Sequence, residues 1–246
     1  MMIGIATNSS VLTMLFIFSL AGYASEAEVK LKKGDRIVFF GDSITAGAGT
    51  TNGFISLIKN SVHAAHPDWG LEMINAGQSG NKVADLQARL QVGVLDKKPS
   101  LVFIYIGVND VGHWTARRRV GTTKDKYESG LKEIIGKIKA AAAQVVLCTP
   151  SVIGEKTDGT NRNDKMMEEY CAISRRVATE TQVFLVDLRK AFKDYLKAHN
   201  SENQEKGILT IDGVHLSPAG NNLVAEQMLK VLGVALAEVP VAPLKK

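Results

Sequence analysis

Arg36-Ile-Val-Phe-Phe-Gly-Asp-Ser-Ile-Thr45 decides the fold. Residues 36–40 form a short, almost wholly apolar run that ends at glycine and aspartate. Such a run reads as a strand buried on both faces, with a strand-to-helix turn following it. Four more runs share this character, at 72–75, 101–105, 145–148 and 183–187. Between them lie segments of helical period, at 53–66, 82–90, 124–142, 163–181, 188–199 and 217–232. The clearest is 124–142, where Tyr127, Leu131, Ile134, Ile135 and Ile138 share one face. The last opens with Ser217 as N-cap and Pro218 at the first helical position. Apolar strands alternating with helices predict a parallel sheet covered on both faces. Right-handed crossovers then make it a three-layer α/β/α sandwich with five parallel strands.

In such a sheet, ligand chemistry gathers beyond the carboxyl ends of the strands. Gly41-Asp42-Ser43-Ile44-Thr45 follows the first strand, and Asn75-Ala-Gly77-Gln-Ser-Gly80 the second. Gly107-Val-Asn109-Asp110 follows the third, and Asp212-Gly-Val-His215-Leu216 precedes the last helix. These four blocks supply the parts of acyl transfer. Ser43 offers a hydroxyl at a strand-to-helix turn, and His215 can take its proton through one ring nitrogen. Asp212, three residues earlier, is placed to fix the other nitrogen. The oxyanion that develops on an attacked ester needs prepositioned donors. The N–H groups of Ser43 and Gly77 and the side-chain amide of Asn109 are the expected set, Gly77 because it lets backbone approach a substrate closely.

Taken together, the blocks resemble those of the SGNH hydrolases, also called the GDSL esterase/lipase family. They stand in that family's order, between about Arg36 and Leu232. The resemblance implies Ser43 as nucleophile, Gly77 and Asn109 as oxyanion donors, Asp212 as orienting acid and His215 as general base. It implies ester hydrolysis through an acyl-serine with neither cofactor nor metal. The expected substrate is an acetyl or short-chain ester of a carbohydrate or small molecule. Lysophospholipase or thioesterase activity is the alternative, and a noncatalytic carbohydrate-binding protein a more distant one.

Other features carry less. The first 24 residues hold no charged side chain, and Val11–Leu20 is an apolar run of signal-peptide length. With small residues before Ser25, this predicts a signal peptide over 1–24 cleaved after Ala24, hence a secreted or periplasmic protein. An uncleaved anchor is the competing reading. A single domain over 25–238 and a loose tail at 239–246 complete the expected organisation. No stable membrane span is expected in the mature protein, and the sequence carries no signal of oligomeric state.

Thirty Lys and Arg against 25 Asp and Glu give a charge of +5, well mixed along the chain, so no nucleic-acid partner is indicated. Gly47-Ala-Gly49-Thr-Thr-Asn-Gly53 imitates a dinucleotide fingerprint but is off in spacing and displaced from the turn. His63 and His66 lack a third metal ligand and read as a surface or half-buried pair. His113 and Trp114 are candidates to line the substrate mouth, and Arg117-Arg118-Arg119 reads as a solvated charge run. Cys148 and Cys171 would form a disulfide only if strand and helix brought them together.

Overall fold

The structure, a computed structural model, describes Met1 and residues 28–115 and 120–237. The apolar leader, Arg117-Arg118-Arg119 and the tail therefore lie outside the described residues, save for Met1. Five parallel strands make one sheet: β1 Arg36–Gly41, β2 Glu72–Gly77, β3 Leu101–Tyr105, β4 Gln144–Cys148 and β5 Phe184–Val186. Their spatial order is β2-β1-β3-β4-β5, the doubly wound order whose reversal falls between β1 and β3. The expected strands and fold class are present. Ile37, Val38, Phe39 and Phe40 of β1 and every residue of β3 are buried, which explains why neither strand alternates.

Two helical layers cover the sheet. α3 (Val83–Gly93), α5 (Lys124–Ala140) and α6 (Asp164–Thr181) pack side by side, while α2 (Phe54–Ala65), α7 (Leu188–His199) and α8 (Pro218–Val231) form the other layer. Phe39 stacks on Phe103 across the β1–β3 pair, with ring centroids 5.1 Å apart. Each fully buried aromatic or aliphatic side chain of this kind contributes about 1.5–3 kcal/mol. Ser217 caps α8 as expected, its Oγ accepting the Gly220 N–H.

Two short helices were not expected, α1 (Ser43–Gly47) and α4 (Val108–Thr115). Each occupies a place that reads in sequence as a turn. α1 exists because Asp42 caps it, its Oδ1 accepting the Ile44 N–H at 2.9 Å. α4 follows a sharp turn at Gly107, whose φ of +132° is closed to other residues; a Cβ there would also meet the Tyr127 hydroxyl at 2.8 Å. The register aligns Gly41 with Gly77 on one side and with Tyr105 on the other. The carboxyl ends of β1, β2 and β3 are therefore level, and the loops that follow them share one rim.

Cys148 and Cys171 are free, buried thiols, so the disulfide does not form. Burial pushes the Cys171 thiol up to about 12, and its Sγ lies 3.4 Å from the Pro150 carbonyl oxygen. His66 stacks on Trp69 at 3.9 Å. Among the described residues no helix is long and apolar enough to cross a membrane.

Candidate active site

Ser43 is the first residue of α1, at the rim, and Asp212 and His215 lie on the loop before α8. The structure brings these three together. Ser43 Oγ stands 2.9 Å from His215 Nε2, and His215 Nδ1 stands 2.7 Å from Asp212 Oδ2. With Nδ1–H donating to the carboxylate, Nε2 is left as the acceptor for the Ser43 hydroxyl proton. Asp212 Oδ1 accepts the backbone N–H groups of Val214 and His215, at 2.9 and 2.8 Å. Partial burial raises the Asp212 carboxyl, but the bonds from the His215 ring and from these backbone groups outweigh it and hold the group at about 2. It stays ionised beside the imidazole across the working pH range.

Asn109 sits in the first turn of α4. Its Nδ2 donates one bond, 3.0 Å, to the carbonyl of Asn81 on the loop after β2. An amide nitrogen carries two protons, so one bond fixes the side chain and the other remains to be offered.

Gly77 is a different matter. Its N–H donates to Asn75 Oδ1 at 2.9 Å, while Asn75 Nδ2 bonds the Thr45 and Ala46 carbonyls at 2.9 and 3.2 Å. The N–H expected to face an oxyanion is thus already engaged. Gly77 is glycine for another reason: a Cβ would lie 2.1 Å from the Ala46 nitrogen, because the end of β2 packs directly on α1. Three residues on, Gly80 has a φ of +78° and open space where a Cβ would stand. Among the described residues no acceptor takes its N–H, and the next residue, Asn81, is the one held by Asn109.

Two charged residues that sequence reasoning did not single out hold this arrangement. Arg89 of α3 donates from Nη2 to the Gly41 carbonyl and from Nη1 to the Ala76 carbonyl, both at 2.8 Å. Its Nε donates to Asn81 Oδ1 at 2.6 Å, and its guanidinium lies over Phe40 at 4.5 Å. One side chain thereby ties the ends of β1 and β2 to the loop that meets Asn109. Glu155, fully buried, accepts the N–H groups of Ile208, Leu209 and Thr210 and the Thr210 hydroxyl, at 2.5–2.9 Å. Thr210 Oγ1 in turn accepts the Gly213 N–H, so Glu155 braces the Asp212–His215 loop from inside. Neither residue had a sequence signal beyond a charge in an otherwise ordinary segment.

Asp42 and Asp110 are buried carboxyls beneath the site. Burial pushes Asp42 up to about 7, with the Asp110 charge adding to the rise, and burial pushes Asp110 up to about 6. Unfolded aspartate titrates near 4. Between about pH 4 and pH 7 the folded protein therefore holds protons that the unfolded chain has released. Stability from this source is full at the acid end and is lost as pH rises through 6–7. Asp42→Asn keeps an acceptor for Ile44 and has no proton to lose. Thermal unfolding from about pH 4 to pH 8 should show wild type losing stability relative to Asp42→Asn; parallel curves would contradict the assignment.

Of the remaining candidates, Trp114 donates to the Thr122 carbonyl at 3.0 Å, and His113 Nδ1 is buried without a partner. Burial lowers the His113 pKa, and Lys82 lowers it further.

Residues 39–223 match the model of the GDSL-like lipase/acylhydrolase family. An acetylxylan esterase of Geobacillus stearothermophilus is 31% identical over 222 residues, which cover 83% of this chain and 97% of that protein. A solved acetyl xylan esterase superposes with a TM-score of 0.77 at 40% identity, covering 80% of this chain and 99% of that one. The isoamyl acetate-hydrolyzing esterase 1 homolog of Mus musculus is 23% identical over 221 residues, or 83% of this chain and 84% of that protein. The family match runs from β1 into α8 and takes in every loop block of the rim, so the chain belongs to the GDSL-like lipase/acylhydrolase family, the SGNH hydrolases, and is a carboxylic ester hydrolase.

Proposed function

We propose that the protein removes acetyl or other short acyl groups from a carbohydrate by double displacement through an acyl-Ser43 intermediate. The observation that carries the reading is the hydrogen-bonded series from Ser43 Oγ through the His215 ring to Asp212, at 2.9 and 2.7 Å. Support for the substrate comes from the relatives, since two of those above are esterases of acetylated xylan by name.

In the first half-reaction Ser43 Oγ bonds to the ester carbonyl carbon as its proton passes to His215 Nε2. The carbonyl π pair moves to oxygen, and Asp212 stabilises the imidazolium that forms. The tetrahedral intermediate then collapses. The C–O bond to the sugar breaks, and His215 gives its proton to the departing sugar oxygen. In the second half, water attacks the acyl carbon and its proton goes to His215. Collapse returns that proton to Ser43 and releases the carboxylic acid. The oxyanion of each intermediate is taken by the Ser43 N–H, by the second Asn109 amide proton and by a donor of the loop after β2. For that last donor we assign the Gly80 N–H in place of Gly77, whose N–H is bonded to Asn75. Export, with cleavage after Ala24, belongs to the same reading and rests on the leader sequence alone.

Mass spectrometry of products from acetylated xylooligosaccharides, short-chain p-nitrophenyl esters and lysophospholipids tests the substrate class. Loss of acetyl groups from the oligosaccharides at a higher kcat/KM than any lysophospholipid is the expected result. The reverse order would reassign the enzyme as a lipid hydrolase, and no turnover of any of them would overturn the acetyl- and short-acyl-ester reading. Asn109→Ala should lower kcat by about 10²–10³. A change confined to KM would make Asn109 a substrate-binding residue and not an oxyanion donor.

A further inference from the structure

The loop between β2 and α3 carries one of the three donors assigned to the oxyanion and holds a second. It turns at 78–81, where the Asn81 N–H donates to the Gln78 carbonyl at 3.3 Å and Gly80, third in the turn, has a φ of +78°. A positive φ at that place is what a type II turn requires. The Gly80 N–H belongs to this turn. So does the Asn81 carbonyl, which takes one proton of the Asn109 amide at 3.0 Å and so decides where the other can point. Gln78, Ser79 and Gly80 are exposed, so packing does little to keep the turn in place.

Both ends of the turn are fastened to Arg89 of α3. At the far end Asn81 Oδ1 accepts Arg89 Nε at 2.6 Å. At the near end the Gln78 N–H donates to the Gly41 carbonyl at 3.1 Å, and the same oxygen accepts Arg89 Nη2 at 2.8 Å. Arg89 Nη1 reaches the Ala76 carbonyl, two residues before the turn, also at 2.8 Å. Gly41 in turn stands two residues before Ser43, whose N–H is the third donor.

The guanidinium is itself seated. It lies 4.5 Å from the ring centroid of Phe40, which is fully buried. One helical turn further on, Gly93 leaves it room: a Cβ there would stand 3.3 Å from Arg89 Nη1 and 3.4 Å from the Phe40 ring. Its three bonds leave one plane toward three separate oxygens, all of them neutral. A planar fork of donors suits that arrangement. The ammonium of lysine, a single point at the end of a flexible stem, does not reproduce it.

We infer that Arg89 is the positioning residue of the oxyanion donors. By clamping both ends of the 78–81 turn to the end of β1, it sets the Gly80 N–H and, through the Asn81 carbonyl, the Asn109 amide for the oxyanion that forms at Ser43. It touches no reacting atom. The inference rests on the reading of Gly80 and Asn109 as oxyanion donors. Its consequence is a loss felt in the transition state and not in substrate binding.

The test is the turnover of p-nitrophenyl acetate by Arg89→Lys, Asn81→Ala and Asn109→Ala, and by the first two each combined with the third. Thermal unfolding of every variant establishes that it is folded. Arg89→Lys should lower kcat by roughly 10- to 100-fold, as a displacement on the order of 1 Å does, with KM held within about twofold. Asn81→Ala removes one of the three bonds but keeps the Asn81 carbonyl, and should lower kcat by roughly 3- to 10-fold with KM again held. In the Asn109→Ala background each change should cost only on the order of a third of its wild-type factor, because the amide it misplaces is gone. A brace that serves stability alone gives the same factor in both backgrounds. That result, a loss confined to KM, or wild-type kcat in Asn81→Ala would overturn the inference. Should Arg89→Lys fail to fold, Asn81→Ala in the two backgrounds decides by the same criterion. Wild-type kcat in Asn109→Ala would instead overturn the oxyanion reading on which the inference rests.

Discussion

Ser43→Ala should lower the turnover of p-nitrophenyl acetate by a factor on the order of 10⁴–10⁶ and leave the fold intact. The size of the loss follows from the covalent step. Without Oγ there is no acyl-enzyme, and the donors around the site retain only electrostatic help for direct attack by water. The fold should tolerate the change because Ser43 Oγ has one partner, His215 Nε2, and alanine is well accepted at the first position of a helix. Steady-state rates and thermal unfolding of the same preparation separate the two effects. A variant with most of its activity left would remove Ser43 from the chemistry, whatever its geometry.

Asp212→Asn should cost about 10³–10⁴ in kcat at neutral pH with a smaller change in KM. Asparagine can keep the bonds that Asp212 Oδ1 accepts from Val214 and His215, so the loop should hold its shape. What changes is the group facing Nδ1. An amide N–H in place of Oδ2 favours the tautomer with its proton on Nε2, which cannot accept a proton from Ser43. The imidazolium would also lose its counter-charge. Asp212 is half exposed, so water takes over part of its role and the loss should stay below that of Ser43→Ala. Measuring kcat and KM separately against pH provides the check. An unchanged kcat would show that the bond at Nδ1 is incidental.

The fold was largely legible because parallel strands buried on both faces leave unbroken apolar runs, as β1, β3 and β4 do, while the edge strands β2 and β5 showed as shorter apolar stretches between helical segments. The three residues of the Ser43–His215–Asp212 series were legible for a related reason. A doubly wound sheet places strand ends at one rim, so polar residues just past those ends are candidates before any coordinates are known. α1 and α4 escaped because helices of five and eight residues are too short to show a period, and Gly-Asp-Ser and Val-Asn-Asp look like turns. The bond that engages the Gly77 N–H was not legible, because any glycine in the block looks available as a donor. The clue lay two residues earlier, since asparagine commonly accepts a bond from the N–H two positions on, as Asn75 does here. Arg89 and Glu155 were invisible for a different cause. Their partners lie up to 55 residues away in sequence, and a buried charge that braces a loop looks like any other charge until the loop is beside it.

The central claim is that an acyl group passes through Ser43 Oγ. Acid quenching during steady-state turnover of p-nitrophenyl acetate, followed by peptide mapping with mass spectrometry, tests it directly. The peptide containing Ser43 should carry the mass of one acetyl group at that residue, the adduct should be absent from Ser43→Ala, and it should decay when substrate is exhausted. An enzyme that turns over without acetyl on Ser43, or that carries it on another residue at a kinetically competent level, would contradict the account.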